Sequence, residues 1–456
     1  MKVYSFFRGG IKFEDRFAPE SVQSRLAFLP EMVVIPLASE FGSRSIPVVS
    51  TGQHIEEGML IARGQGSGSA NIHSPVPGRL VKTVKWEPAP GFLADALVIR
   101  LEGGFNKLGK PETRYEWTDL NWFELRSLIS EYGVIEMEGL GRPLCDIFSK
   151  NTIAGSPLTF VVRCVFDDPW LSAEYCLCRE RLEAVSEGCL ITARAAGAAS
   201  IMFAVSASER ELGRALLEAA KQNDTSGQFT FTEVLVGSRY PQHSDYAMEI
   251  VLRRYEKGED PIKGGVFMLS PTTAAAVYDA VALRIPVLER YVAVGGPVLK
   301  HRAVIKARIG SRLRDLFAEC GGFTEKTEES SVTAVIGSPL LGRAAVTLDE
   351  PILKTSRSVF VSKVKRCAVA SKKYPWLNKI NKFLPVAACI SCGECRSVCP
   401  VKLDPEDIYK EINYGKNGMV DSTCIGCGCC EAVCPSNLPL CTVIARTQFK
   451  GSGCAV

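Results

Sequence analysis

Long apolar runs are missing from this chain of 456 residues. The longest apolar-looking stretch, around residues 191–207, is interrupted by Arg194. A membrane-spanning helix needs about 20 consecutive apolar residues, and the N-terminus has no apolar core like that of a secretory signal peptide. We therefore expect no transmembrane segment, so that any membrane association would have to go through partner proteins.

A strong charge of one sign is absent too, because 54 Lys and Arg face 50 Asp and Glu. No helix-turn-helix, zinc-finger or RNP pattern accompanies the positive charges, so we expect no nucleic-acid partner. One region departs from this balance, since residues 351–388 contain nine basic and no acidic residues. This basic connector is either a solvated linker or a docking surface for an acidic electron partner or a membrane face. Its basic residues are Lys354, Arg357, Lys363, Lys365, Arg366, Lys372, Lys373, Lys379 and Lys382.

The spacing of a small disulfide-bonded domain is also missing, although the chain has 18 Cys. Eight of them form two runs of the pattern C-x₂-C-x₂-C-x₃-C-P, which is typical of bacterial two-cluster ferredoxins. In that pattern three thiolates of a run bind one cubane and the fourth reaches the other. We predict one [4Fe–4S] cluster on Cys389, Cys392, Cys395 and Cys434, and a second on Cys424, Cys427, Cys430 and Cys399.

Zinc sites and disulfides are the alternatives to these clusters. Zinc sites commonly use two C-x₂₋₄-C pairs, and two triplets that each end in Cys-Pro fit that pattern poorly. Cys429 lies inside the second run but off the ligand spacing, so we interpret it as a small packing residue or a spare thiol. Cluster thiolates and scattered free thiols favour a reducing cytosol.

The apolar pattern predicts a multidomain chain of α/β and α+β units. Short strand-like runs between Gly, Pro and Ser turns indicate a barrel-sandwich module of the lipoyl type, without the lysine of a swinging arm. Alternating helices and strands then indicate an α/β sheet, and short strands around one helix indicate a β-grasp unit. We place the barrel-sandwich at 1–110, the α/β domain at 111–287, the β-grasp at 288–350, the basic connector at 351–384 and the ferredoxin domain at 385–445.

Short motifs recur along nearly the whole chain. They are RGGI at 8–11, VVIPL at 33–37, DPWLSAE at 168–174, YPQ at 240–242, VGGPV at 294–298 and IGSPLLG at 336–342. In this order, and with two cysteine runs after them, they resemble the C subunit of the Rnf ion-translocating electron transport complex. That family is related to the flavin- and NADH-binding subunit of respiratory complex I. The resemblance implies a flavin/NADH-binding-like α/β domain and a soluble-ligand-binding β-grasp domain.

The family has a glycine-rich loop whose backbone amides approach the flavin phosphate. The corresponding residues 138–145 of this chain keep only Gly139 and Gly141, and Arg142 and Pro143 follow. Proline has no amide hydrogen and restricts the residue before it. Arg142 could supply a cation to the phosphate, or it could be a surface or packing residue in a site that no longer binds nucleotide.

This chain also differs from the family at two other motifs of the flavin site. In the acidic turn after the first α/β strand, Asp168 remains and Phe166 replaces the other acid. Ser-Pro-Thr-Thr at 270–273 stands where the resemblance implies a glycine-containing strand end. We therefore predict a degenerate nucleotide site at Gly139, Gly141 and Asp168, with weak or no binding of FMN and NADH.

The resemblance implies a peripheral subunit of a membrane-bound ion-translocating oxidoreductase on the cytoplasmic face of the inner membrane. Its two clusters would relay electrons between a soluble carrier, NADH or ferredoxin, and the membrane and iron–sulfur subunits of the complex. A corrinoid reductase on the same scaffold is one alternative. The other is an adaptor, in which the α/β part only docks and the ferredoxin unit alone conducts.

Overall fold

The computed structural model describes residues 2–20, 23–38, 44–89, 92–151, 157–257, 262, 264–325, 327–363, 386–414 and 423–444. Among the helices in these ranges, none has the length and apolarity needed to cross a membrane. Most of the basic connector, residues 364–384, lies outside the described residues. Its role in docking therefore stays a prediction.

The secondary structure alternates between strand-rich and helix-rich regions. The strands are β1 Val3–Tyr4, β2 Ser24–Leu26, β3 Met32–Pro36, β4 Ser45–Pro47, β5 His54–Ile55, β6 Leu60–Gly64, β7 Ile72–His73, β8 Gly78–Ala89, β9 Phe92–Leu101, β10 Leu158–Cys164, β11 Ser200–Ser206, β12 Thr230–Val236, β13 Gly265–Leu269, β14 Glu289–Gly295, β15 Ala303–Arg308, β16 Val332–Ile336, β17 Arg343–Ala344 and β18 Ser358–Lys363. The α-helices are α1 Trp122–Glu131, α2 Leu144–Asn151, α3 Ser172–Glu180, α4 Leu182–Ala196, α5 Arg210–Asn223, α6 Asp245–Glu256, α7 Pro271–Tyr278, α8 Leu313–Glu319, α9 Glu394–Ser397, α10 Pro405–Tyr414 and α11 Cys429–Val433.

The first module consists of two small antiparallel sheets. One has the order β3-β9-β8-β5 and the other β4-β6-β7. Alternating strand residues such as Val33, Ile35, Leu97 and Ile99 are buried between them, as expected where each strand has one inward face. His73, at the end of β7, is partly buried, and burial lowers its pKa to about 3. His73 is therefore a neutral side chain that packs within this module.

The α/β domain is built on a five-stranded sheet of order β1-β12-β11-β10-β13, in which every pair is parallel. β10 is buried along its whole length, which is usual for a central parallel strand covered by helices on both faces. Its edge strand β1 comes from the N-terminus. Nothing in the sequence indicated this pairing, because short strands at an edge leave little apolar pattern, and the division at residue 110 stays a prediction.

A mixed sheet of order β17-β16-β18-β14-β15-β2 follows. β18, Ser358–Lys363, lies in its middle, parallel to β14 and antiparallel to β16. This sheet therefore extends beyond residue 350, and the expected connector at 351–384 begins inside a folded unit. The basic residues at the start of this segment made it resemble a solvated linker in the sequence. In the structure, the Lys354 ammonium donates to the Gly133 carbonyl at 2.8 Å, and Arg357 pairs with Glu138.

The C-terminal unit contains the two cysteine runs, with α9 and α11 inside them and α10 between them. It packs against the rest of the chain through an apolar cluster that includes Cys427 and Cys429 on its side. Phe13, Trp170 and Phe360, from three other segments, complete that cluster. The ferredoxin unit is thus seated on the α/β domain and the mixed sheet together.

Candidate functional site

Each cysteine run forms a loop that leads into a short helix. Gly393 and Gly428 precede α9 and α11 with φ of 73° and 78°, a backbone conformation that glycine adopts without steric cost. In the first loop the Ser391 amide donates to Cys389 Sγ at 3.4 Å, and in the second the Gly426 amide donates to Cys424 Sγ at 3.4 Å. The loops therefore curl around their sulfur atoms and direct amides toward them.

The fourth cysteine of each run lies beside the other run. Cys434 interacts electrostatically with Cys389 and Cys392. Cys399 borders a small cavity whose lining also includes Cys424, Cys427 and Cys430. The structure thus places Cys434 beside two cysteines of the first run, and Cys399 beside the three ligands predicted in the second run.

The donor set fits two cubanes, since a [4Fe–4S] cluster takes four cysteine thiolates. Among the described residues, no three His, Cys, Asp or Glu side chains converge as they would around a single metal ion. A cubane spaces its four ligands around a larger body, so the two observations agree. Cys389, Cys392, Cys395 and Cys434 would hold one cluster, and Cys424, Cys427, Cys430 and Cys399 the other.

The N-terminal segment contacts the end of the first run, and the α/β domain contacts the second run. The Gly10 amide donates to the Val398 carbonyl at 2.7 Å, and a Cβ added at Gly9 would lie 2.5 Å from the Cys399 carbonyl oxygen. From the other side, the buried Tyr240 hydroxyl donates to the Cys427 carbonyl at 2.8 Å. Sequence analysis did not assign a role to these residues, although the RGGI and YPQ motifs contain them.

The two cluster positions differ in exposure. Cys427 belongs to the apolar junction with the α/β domain. Cys392 is exposed, and the neighbouring Ile390 side chain is 66% exposed. One cluster position therefore faces the interior of the chain and the other faces its surface.

A buried ion-pair network occupies the carboxyl end of β10, where α/β folds usually bind their ligands. The Arg163 guanidinium, 8% exposed, pairs with Glu138 and with Asp245. Burial alone would raise the pKa of the Glu138 carboxyl, but Arg163 and Arg357 hold that pKa below its ordinary value. The Arg163 guanidinium and the Glu138 carboxylate are therefore both charged, and they form an ion pair with each other.

The network continues into the mixed sheet. Arg357 Nη1 lies 3.4 Å from a Glu138 oxygen and 3.8 Å from a Glu174 oxygen. Arg290 is buried and donates to the carbonyls of Met137 and Ser356 at 3.0 and 3.1 Å. Burial lowers the pKa of the Arg290 guanidinium to about 10. These contacts link the loop before Gly139 to both domains.

The two loop glycines do not face a common pocket. Gly139 borders a polar cavity of about 260 Å³, whereas Gly141 borders a separate, mainly apolar cavity of about 110 Å³. The Gly141 amide donates to the Glu138 carbonyl at 3.2 Å, so the turn closes on itself. The Arg142 side chain reaches back to Glu136, with Nε 3.2 Å from Oε2.

Asp168 lies on the same polar cavity as Gly139. Its carboxylate accepts a hydrogen bond from the Trp170 amide at 3.0 Å, and burial raises its pKa to about 6. Nearby, His243 Nδ1 lies 2.7 Å from Asp167 Oδ1. Although burial lowers the pKa of His243, the Asp167 carboxylate raises it above the ordinary value.

The residues at this edge do not fit a flavin phosphate. That group needs several amides that converge without competing bonds. Here one glycine amide is bonded within the turn, Pro143 offers none, and the Glu138 carboxylate adds a buried negative charge beside the loop. Sequence analysis missed Arg163 and Glu138. The available signal was an arginine near the end of an otherwise apolar strand.

Comparison with known proteins places the chain. The RnfC barrel sandwich hybrid domain matches residues 5–103, the Nuo51 FMN-binding domain matches 129–279, and a 4Fe-4S dicluster domain matches 370–438. It is an RnfC-like protein. The domain matches confirm the barrel-sandwich, the Nuo51-type α/β domain and the ferredoxin unit as parts of this RnfC-like chain, and they confirm [4Fe–4S] clusters as its cofactor class.

Curated relatives align over most of this RnfC-like chain. The C subunit of a proton-translocating ferredoxin:NAD(+) oxidoreductase complex from Clostridium ljungdahlii is 27% identical over 89% of this chain and 86% of its own length. The C subunit of an ion-translocating oxidoreductase complex from Rhodobacter capsulatus is 28% identical over 85% of this chain and 71% of its own. A solved NAD+-reducing [NiFe]-hydrogenase in the H2-reduced state is 15% identical over 72% of this chain and 61% of its own, with a TM-score of 0.49.

Proposed function

We propose that this chain is a peripheral subunit of a membrane-bound ion-translocating oxidoreductase. It relays electrons one at a time through two [4Fe–4S] clusters, between a soluble carrier such as NADH or ferredoxin and the membrane and iron–sulfur subunits of its complex. It works at the cytoplasmic face of the inner membrane. The observation that carries the proposal is that the fourth cysteine of each run lies beside the other run, in a chain similar to C subunits of such complexes.

The seating of the ferredoxin unit supports electron relay by the whole chain. Tyr240 fixes the second run against the α/β domain, and the Gly9–Gly10 turn fixes the end of the first run at Cys399. A cluster held at a fixed distance from its neighbours keeps a constant electron-transfer geometry. The exposed first run leaves the other cluster within reach of an external partner.

The mixed sheet supports a finer proposal for the third domain. Its order β17-β16-β18-β14-β15, with β14 parallel to β18 and α8 between β15 and β16, is the arrangement of a β-grasp fold. We therefore place a soluble-ligand-binding β-grasp domain at about residues 288–363, preceded by the α/β domain and followed by the rest of the basic connector.

A second function, the adaptor, is favoured by one observation. The buried network of Arg163, Glu138 and Asp245 occupies the carboxyl edge of the α/β sheet. In this version the α/β domain positions the ferredoxin unit and carries no flavin chemistry. The ferredoxin unit alone conducts.

Iron and sulfide analysis tests the electron-relay proposal. Protein purified without oxygen is expected to contain about eight iron and eight acid-labile sulfide per chain, because two complete Cys₄ sets are available. A reproducible value near four of each, in protein that loses none on handling, would refute the two-cluster assignment.

A further inference from the structure

The two halves of the ferredoxin unit are related by a constant shift along the chain. Cys389 corresponds to Cys424 and Cys399 to Cys434, each pair being separated by 35 positions. The geometry repeats as well, since the amide two residues after the first cysteine donates to its sulfur at 3.4 Å in both halves. Chemical differences between equivalent positions can therefore be read as differences between the two clusters.

The same shift makes Glu406 equivalent to Cys441. Glu406 is in the first turn of α10, and Cys441 is in the first turn of the helical stretch that begins at Leu440. Each lies beside the first cysteine of its own run: the Glu406 side chain interacts with Cys389, and the Cys441 side chain with Cys424. Cys441 also lines the cavity that Cys424 borders.

The Glu406 position carries a negative charge. Its carboxylate accepts from Ser391 Oγ at 2.7 Å and pairs with the Lys410 ammonium at 2.6 Å. A carboxylate beside a cluster opposes the addition of an electron, and net charge is one of the factors that set cluster potentials. The side chain of Lys410 is 47% exposed. Water therefore screens its positive charge, which offsets the negative charge of Glu406 only in part.

The Cys441 position carries a neutral donor instead. Its thiol is 3% exposed and has one hydrogen to give. With Cys424 bound to iron as a thiolate, the Cys441 thiol would be placed to donate that hydrogen to the ligand sulfur. Hydrogen bonds to cluster sulfur stabilise the extra electron of the reduced state and raise the potential.

We propose that Glu406 and Cys441 separate the reduction potentials of the two clusters, so that the cluster on Cys424 is reduced before the cluster on Cys389. One electron would then pass from the cluster held at the exposed end to the cluster held at the α/β junction, with no proton or bond exchanged. The inference rests on the crossed ligation in the proposed function. Glu406 and Cys441 are positioning residues, since both act through a ligand sulfur.

The test is a reductive titration of the full-length anaerobic protein, followed by electron paramagnetic resonance. In Cys441→Ala the higher midpoint potential, that of the cluster on Cys424, should fall by about 59 mV. For a one-electron couple this shifts the equilibrium of the electron between the two clusters about tenfold. The lower midpoint should stay unchanged. In Cys441→Ser the hydroxyl still donates to sulfur, so its midpoint should stay near the parent value. In Glu406→Gln the lower midpoint should rise.

Controls separate this inference from the proposed function. Cys320→Ala removes a buried thiol in the mixed-sheet core and should leave both midpoints unchanged. Eight iron in the parent supports the two-cluster assignment, whatever the variants do. The inference is overturned if Cys441→Ala keeps eight iron and moves neither midpoint, or moves both equally. It is also overturned if the Ala and Ser variants both lose four iron, because Cys441 would then be required for assembly.

Discussion

The ferredoxin unit and the carboxyl edge of the α/β sheet contrast sharply within one chain. In the first, eight thiols are grouped in two sets and Gly393 and Gly428 provide the loop geometry that cubanes need. In the second, the buried Arg163 side chain pairs with Glu138, which is buried, and with Asp245, which is more exposed. Both regions match domain families named for cofactors, but only the first has side chains that fit its cofactor.

The difference shows how the two kinds of site tolerate change. A cluster depends on ligands that nothing else can replace, so their spacing has to persist in the sequence. A phosphate site depends on backbone amides, and one proline or one internal hydrogen bond removes an amide from it. A family resemblance therefore predicts the cluster unit more safely than the flavin site.

The largest effect is expected for Cys434→Ser. It should disrupt the cluster held by Cys389, Cys392 and Cys395, with a loss of about half the iron, because the fourth ligand crosses between runs. Cys429→Ser is the matched control, since Cys429 is in the same run but off the ligand spacing. Spectroscopy that shows the Cys424 cluster lost instead would contradict the crossed arrangement.

A smaller effect is expected for Glu138→Ala. The substitution leaves the Arg163 charge buried with Asp245 as its remaining paired carboxylate in the described structure, and breaking a buried pair costs about 3–5 kcal/mol of unfolding free energy. Since Asp245 is 68% exposed, we expect the lower end. Urea unfolding followed by circular dichroism measures the change. Glu249→Ala, which removes an exposed pair with Arg253, should cost less than about 1 kcal/mol; equal effects would contradict a structural role for the network.

The last prediction concerns ligand binding, where the expected observation is that little or no heat of binding is released. Each amide lost from a phosphate site removes a charge-assisted hydrogen bond of about 1.5–3 kcal/mol. Two such losses weaken binding by on the order of a hundredfold or more. Calorimetric titration of the anaerobic chain with FMN and with NADH should therefore show weak or no binding. A stoichiometric site of low-micromolar affinity would restore the flavoenzyme interpretation and remove the contrast.

Local patterns in the sequence predicted the helices and central strands well. The predicted alternation of helices and strands within residues 111–287 corresponds to elements that include α1, β10, β11 and α5. Apolar periodicity is strong in such segments because each packs against a continuous core. Short edge strands such as β1 and β2 were missed, since two or three residues show no periodicity.

By itself, the sequence determined the cluster chemistry and its grouping, because ligand spacing is a local property of the chain. The degenerate glycine loop was also visible in it. Only the tertiary structure brought together the ion-pair network at the end of β10, since Glu138, Arg163, Asp245 and Arg357 lie far apart along the chain. It alone placed Glu406 and Cys441 beside equivalent ligand sulfurs and seated Gly9 against Cys399, because contacts between distant segments depend on how the sheets and helices pack.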